Sequence, residues 1–130
     1  MEDCIFCKIV TGQIPSYKIY EDEKYLGFMD IFPRTKGHSL VIPKKHYRWV
    51  NDVPEFGEYW EAAKKISQVL QKSLNSRSIV YLTLGDEVPH AHIHILPQTQ
   101  AGIVGIKMTE VIKMEKEEIG KIAEEIKKSL

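Results

Sequence analysis

The segment His90-Ala91-His92-Ile93-His94-Ile95-Leu96 alternates imidazole with apolar side chains, and that alternation restricts what it can fold into. In an extended strand successive side chains point to opposite faces. His90, His92 and His94 then share one face, and Ala91, Ile93 and Ile95 share the other. The strand has a chemical side and a core side. Neighbours on one face stand about 6.6 Å apart, close enough for one ligand to touch two rings and far enough for the rings to differ in role. The remaining histidines are His38 and His46, so all five fall in three places and none is spent on an ordinary surface. An imidazole-based active site is the leading reading.

The rest of the chain supplies partners for this strand. Cys4 to Val10 reads as a short helical turn closed by Gly12 and Pro15. Tyr17 to Glu21 and Lys24 to Asp30 are β-rich runs separated by Asp22-Glu23, which predicts a hairpin. Asp30 to Gly37 is a loop punctuated by Pro33 and Gly37, leading into a third strand at Ser39 to Ile42 that Pro43 ends. From Pro54 to Leu74, Phe56, Tyr59, Trp60, Ala63, Ile66, Val69, Leu70 and Leu74 recur at helical spacing, with Pro54 in the first turn. Ser78 to Leu84 is a fourth strand and the histidine run a fifth. Met114, Ile119, Ile122, Ala123, Ile126 and Leu130 trace one face of a C-terminal helix. The expected fold is α+β, a five-stranded antiparallel sheet with one long central helix and a C-terminal helix laid on one face. No linker or repeat divides residues 1–130, which form one domain.

Charge decides how a ligand could be held. Eighteen basic and eighteen acidic side chains cancel, so overall charge points to neither nucleic acid nor an anionic membrane. Any negative ligand must be held by local donors. The first residues lack the pattern of a signal peptide, and no apolar run approaches the roughly 18 residues of a spanning helix. The expected location is the cytoplasm. There Cys4 and Cys7 are reduced, and read as metal ligands or a redox pair.

The stretches Cys4-Ile5-Phe6-Cys7-Lys8-Ile9, Asp30-Ile31-Phe32-Pro33, Gly37-His38-Ser39-Leu40-Val41-Ile42-Pro43-Lys44-Lys45-His46 and His90-Ala91-His92-Ile93-His94-Ile95 resemble, in order, the histidine triad (HIT) family of nucleotide-binding hydrolases and transferases. The resemblance implies that His92 is the nucleophile, attacking an α-phosphorus to give a nucleotidyl-imidazole that water hydrolyses. His94 would hydrogen-bond the phosphoryl or bridging oxygen. His38 would steady the constellation or touch the leaving group. The chemical step itself needs no metal. The ligand implied is a purine mononucleotide or nucleotide conjugate, with Asp30 taking the ribose hydroxyls and Ile5, Phe6, Ile9, Phe28 and Ile31 wrapping the base. Read without the resemblance, those apolar residues are core and Asp30 is a turn former. Members with Cys-x-x-Cys imply a structural Zn²⁺ on Cys4, Cys7, His46 and His90. A two-fold homodimer is implied too, and the aromatic residues Phe56, Tyr59 and Trp60, with Trp49, offer apolar surface for it.

One stretch departs from the family. Relatives place an amide residue, then a glycine-rich loop ending in Gln and a Ser or Thr hydroxyl, before the triad. This chain has Thr83-Leu84-Gly85-Asp86-Glu87-Val88-Pro89, with Thr83 at the amide position and Glu87 where the hydroxyl is expected. Thr83 and the backbone at Gly85 remain as phosphate-side candidates. An ionised Glu repels a phosphate by about 1 kcal/mol at 4 Å in water and by more when partly dry. Either Glu87 points outward, or phosphate is bound differently here. The segment from Gln98 to Ile103, which in relatives helps set leaving-group preference, matches no subfamily. Hydrolase, transferase or phosphorylase, and a nucleotide-binding module with little activity are the functional classes the sequence leaves open.

Overall fold

The computed structural model describes residues 3–98 and 108–130. Its elements are α1 (Ile5–Val10), β1 (Lys18–Glu21), β2 (Tyr25–Met29), β3 (Ser39–Pro43), a 3₁₀ turn (Val50–Asp52), α2 (Phe56–Leu74), β4 (Ser78–Leu82), β5 (Ile93–Gln98) and α3 (Lys116–Ser129). The strands form one sheet in the order β1-β2-β3-β5-β4, antiparallel throughout. The β1–β2 turn is built by Asp22, whose Oδ1 accepts from the N–H groups of Lys24 and Tyr25, both at 2.8 Å. A carboxylate that takes two turn amides closes a hairpin without glycine.

Period-two alternation gives the central strands two buried faces. Tyr25 and Met29 of β2, Val41 of β3, and Ile93 and Ile95 of β5 pack with α2 and α3, together with Tyr59, Ile66, Leu70, Ile119 and Ile126. Leu26, Phe28, Leu40 and Ile42 turn the other way and pack with Cys4, Phe6 and Ile9. The long helix α2 and the C-terminal helix α3 share one face as expected, and the short helix α1 lies on the opposite face. Six residues suffice for it because Phe6 and Ile9 are sunk in that second core.

Element ends differ from expectation for local reasons. β5 begins at Ile93, not His90. The chain after Pro43 leaves the ladder, and Tyr47 is the residue whose carbonyl accepts from Ala91 N–H, at 2.7 Å. His90 and His92 thus lie beside the sheet's end, held by that backbone bond and by the ring bonds of His90 to Pro43 O and of His92 to His90 O. α2 begins at Phe56, with Pro54 in the preceding turn, and β4 ends at Leu82. Tyr59 is fully buried, stacked on Tyr25 at 5.3 Å and donating its hydroxyl to Val41 O at 2.7 Å. It is core, and only Phe56, Trp60 and Trp49 of the aromatic group keep exposed or half-exposed surface. Of the stretch linked to leaving-group preference, Gln98 closes β5 and residues 99–103 lie outside the described residues.

Candidate active site and metal centre

The histidine-bearing face and α1 together enclose two adjoining clusters. In the first, His38 is completely buried and its Nε2 lies 2.9 Å from His94 Nδ1. The backbone N–H of Arg34 donates to His38 Nδ1 at 3.0 Å. An imidazole that accepts at Nδ1 carries its proton on Nε2 when neutral, so His38 donates to His94. His94 then accepts at Nδ1 and presents Nε2–H outward. The tautomer of His92 is set separately, since its Nδ1 lies 2.8 Å from His90 O and a carbonyl can only accept. The Nε2 of His92 is left with a free lone pair. The rings of His92 and His94 are edge to face with centroids 5.1 Å apart.

Burial favours the neutral form of all three rings. Burial holds His38 down to about 3, with the charges of His94 and Arg34 adding to the effect. Burial likewise holds His94 at about 4, helped by His92 and Arg34. His92 is lowered chiefly by burial, opposed by its bond to His90 O and by Asp30, with Arg48 adding to the lowering.

Asp30 borders this cluster. Its Oδ1 accepts from Phe32 N–H at 2.8 Å, the turn-forming role read from sequence, while Oδ2 lies 3.4 Å from Arg34 Nη1 and 3.5 Å from His38 Nε2. Burial raises its carboxyl, against the Phe32 amide and Arg34. Asp30, His38 and His94 lie close enough to hold a cation. The tautomer argues against it: a metal on His38 Nε2 would put the proton on Nδ1, facing the Arg34 N–H donor.

The second cluster brings together Cys4, Cys7, His46 and His90, whose ligand atoms lie within 4.8 Å of one another. Cys4 Sγ is 3.3 Å from His90 Nδ1, and Cys7 Sγ is 3.3 Å from His46 Nδ1 and 3.4 Å from His90 Nδ1. Tetrahedral zinc with ordinary Zn–S and Zn–N bonds sets sulfur and nitrogen about 3.5 Å apart. The donor set and spacing fit that ion. His90 Nε2 donates to Pro43 O at 2.8 Å, which leaves Nδ1 as a lone pair directed at the sulfurs and supplies the outer partner that a ligating histidine needs. Cys4 caps α1, and its Sγ accepts from Cys7 N–H at 3.3 Å, which keeps both sulfurs at the same end of the helix.

Around these clusters the remaining candidates divide by exposure. Phe6 meets His92 edge-on at 5.1 Å, His90 at 5.9 Å and Phe28 at 5.7 Å, so Phe6, Phe28 and Ile9 form a buried floor. Ile5 and Ile31 are exposed, 45% and 48%, on its rim. Gly85 is buried at φ +70°, while Thr83 and Glu87 are exposed. Sequence reading missed two arginines. Arg34 holds His38 by its amide and Asp30 by its guanidinium, and also donates to Met108 O and Phe32 O, each at 2.8 Å. Arg48 donates to Gly85 O at 2.7 Å. Their one sequence signal is proximity to His38 and His46, which surface arginines share.

Comparison with known proteins gives the family and the fold. Residues 11–101 match the HIT domain family model. A HIT-like protein of Methanocaldococcus jannaschii, itself uncharacterised, is 41% identical over 122 residues, covering 89% of this chain and 95% of that protein. An adenosine 5′-monophosphoramidase of Saccharomyces cerevisiae is 36% identical over 104 residues, 73% of this chain and 62% of the yeast protein. Among solved structures, a zinc-bound histidine triad family protein from Mycobacterium smegmatis superposes with a TM-score of 0.82 at 28% identity, covering 98% of this chain and 93% of the other.

Proposed function

The chain belongs to the HIT family, and from that premise we propose that it hydrolyses nucleoside phosphoramidates or related nucleotide conjugates at the α-phosphorus. One observation carries the reading: His90 O and Arg34 N–H fix two opposite tautomers on neighbouring rings, a lone pair on His92 Nε2 beside a donor on His94 Nε2. A nucleophile and a donor for the leaving side are what displacement at phosphorus requires. His92 Nε2 attacks, the P–N bond forms, and the bond to the leaving group breaks with its electron pair on the departing atom, which solvent protonates. His94 Nε2–H hydrogen-bonds that atom or a phosphoryl oxygen. Water then adds to phosphorus, the P–Nε2 bond breaks and the mononucleotide leaves. His38, sealed behind His94, acts by steadying it and does not reach the leaving group.

The base would lie over the Phe6, Ile9 and Phe28 floor between Ile5 and Ile31, with the ribose at Asp30 and the phosphate toward Thr83 and Gly85. Zinc on Cys4, Cys7, His46 and His90 would serve structure: it would anchor α1 to the end of the sheet and hold His90, whose carbonyl orients His92. Edge strand β4 with Phe56, Trp60 and Tyr81, the first and last 43% and 41% exposed, would supply the contact of a homodimer. No helix among the described residues is long and apolar enough to cross a membrane, and two unpaired cysteines suit a reducing cytoplasm.

The test is turnover of a nucleoside phosphoramidate and of a dinucleoside polyphosphate, each with and without inorganic phosphate. Hydrolysis independent of phosphate is expected, with a trappable nucleotidyl-protein and a loss of at least about a thousandfold in His92→Ala. Phosphate-dependent cleavage would make the protein a phosphorylase. No turnover and no trapped adduct would make it a binding module.

A further inference from the structure

The loop before the triad lacks the hydroxyl donor that an α-phosphate would be expected to meet, and offers an exposed carboxylate, Glu87, in its place. A doubly charged phosphate beside neutral histidines still needs a cation or several donors. Arg48 is placed to supply them. It is half-buried, and its Nη1 donates to the carbonyl of Gly85, in that loop, at 2.7 Å. Its Cζ lies 3.7 Å over the ring of Trp49. Gly85 packs on the same ring: a Cβ there would stand 2.9 Å from Trp49 Cζ3 and 3.1 Å from Cε3. Loop glycine, indole and guanidinium are stacked against one another, so the guanidinium is held before any ligand arrives.

A guanidinium has five N–H donors. Among the described residues no carboxylate forms an ion pair with Arg48, and Gly85 O is its one hydrogen-bond acceptor. Arg34 differs, since Asp30, Phe32 and Met108 already occupy it. A half-buried cation with unspent donors, fixed on an aromatic face and bonded to the loop that precedes His90, is suited to bidentate capture of a phosphate.

We propose that Arg48 binds the phosphate of the nucleotide, in the role that a Ser or Thr hydroxyl before His90 would otherwise fill. The proposal rests on the nucleotide reading of the site given above. It makes Trp49 and Gly85 positioning residues for Arg48, and it accounts for how a loop carrying Asp86 and Glu87 can still face an anion.

Adenosine 5′-monophosphate and adenosine should be titrated calorimetrically into wild type, Arg48→Lys and Arg48→Gln, with melting curves to establish that each variant is folded. Arg48→Gln should weaken the monophosphate roughly tenfold or more, the usual scale for losing a charged hydrogen bond, and leave adenosine unchanged. Arg48→Lys should fall between, keeping charge without the fork. Undiminished monophosphate affinity in Arg48→Gln overturns the proposal and leaves the nucleotide reading standing. Equal weakening of both ligands also overturns it, because Arg48 would then act through loop structure alone. A wild type that binds neither ligand overturns the nucleotide reading, and the proposal with it.

Discussion

His38 Nε2 donates to His94 Nδ1 across 2.9 Å in the buried interior, and the N–H of Arg34 sets the direction of that bond from the far side of the His38 ring. Removing the His38 ring would therefore leave a cavity, an unpaired amide and an unpaired imidazole nitrogen together. His38→Ala should cost about 2–4 kcal/mol of stability. Turnover should drop further, through kcat more than KM, because His94 loses the partner that holds Nε2–H outward. Urea unfolding and steady-state kinetics measure the two effects, and an unchanged kcat in folded His38→Ala would refute the relay.

The same two rings predict an acid-sensitive fold. Burial holds His38 at about 3 and His94 at about 4, against about 6.5 in the unfolded chain. The unfolded state binds these protons more tightly, so their contribution to stability is complete above pH 6.5. It is lost progressively as pH falls toward 4 and then 3. Asp30 acts in the opposite sense, because burial raises its carboxyl and stability falls as pH rises through that raised value. Melting temperature should drop between pH 7 and pH 4.5, and a flat profile there would contradict the assigned neutral pair.

The strand that carries these rings was legible because alternation survives folding: Ile93 and Ile95 went to one core, His92 and His94 to the other side. The four zinc-type ligands were legible as residue types, and their meeting depends on α1 docking against the sheet, which no local pattern encodes. Tyr59 fits a helical stripe equally well as core or contact surface, and its hydroxyl bond to Val41 decides the matter. Arg34 and Arg48 gave only their proximity to His38 and His46, a signal that surface arginines share. Their roles come from single hydrogen bonds to backbone, and backbone position is the output of the fold.

Zinc should matter more to folding than to chemistry. Four donors around one point hold α1, the segment after β3 and the start of the triad together. Loss of the ion would leave two thiols and two imidazoles packed with little to bind. Stripping the metal with a chelator, or Cys4→Ser with Cys7→Ser, should lower the melting temperature by ten degrees or more, on the scale of about 2–4 kcal/mol for a domain of this size. Elemental analysis should return one zinc per chain. A metal-free preparation with unchanged melting would remove the structural role.

Gly37 should resist substitution. It sits at φ +86°, immediately before His38, and a Cβ there would run into Leu74 Cδ1 and lie 3.3 Å from Pro97 Cγ. Left-handed backbone and overpacking each add a penalty, so Gly37→Ala should cost on the order of 2–4 kcal/mol. Strain at this point shifts His38 directly, and activity measured well below the melting temperature should fall as well.

Asp30→Asn should be damaging although the side chain keeps its shape. Among the described residues, the polar contacts of the carboxylate are all with donors: Phe32 N–H faces Oδ1, and Arg34 Nη1 and His38 Nε2 face Oδ2. An amide must turn its NH₂ toward one of these sets. Flipped one way it opposes the Phe32 amide, flipped the other way it opposes the guanidinium and the imidazole that must donate to His94. A buried donor meeting donors costs about 1–3 kcal/mol. The choice that spares Phe32 also pushes His38 away from the tautomer the relay needs. Urea titration should show the loss of stability, and nitrogen-15 imidazole shifts should show a mixed His38 tautomer where wild type has one. An Asp30→Asn protein as stable as wild type, with an unmixed tautomer, would mean that the carboxylate does not set this hydrogen-bond pattern.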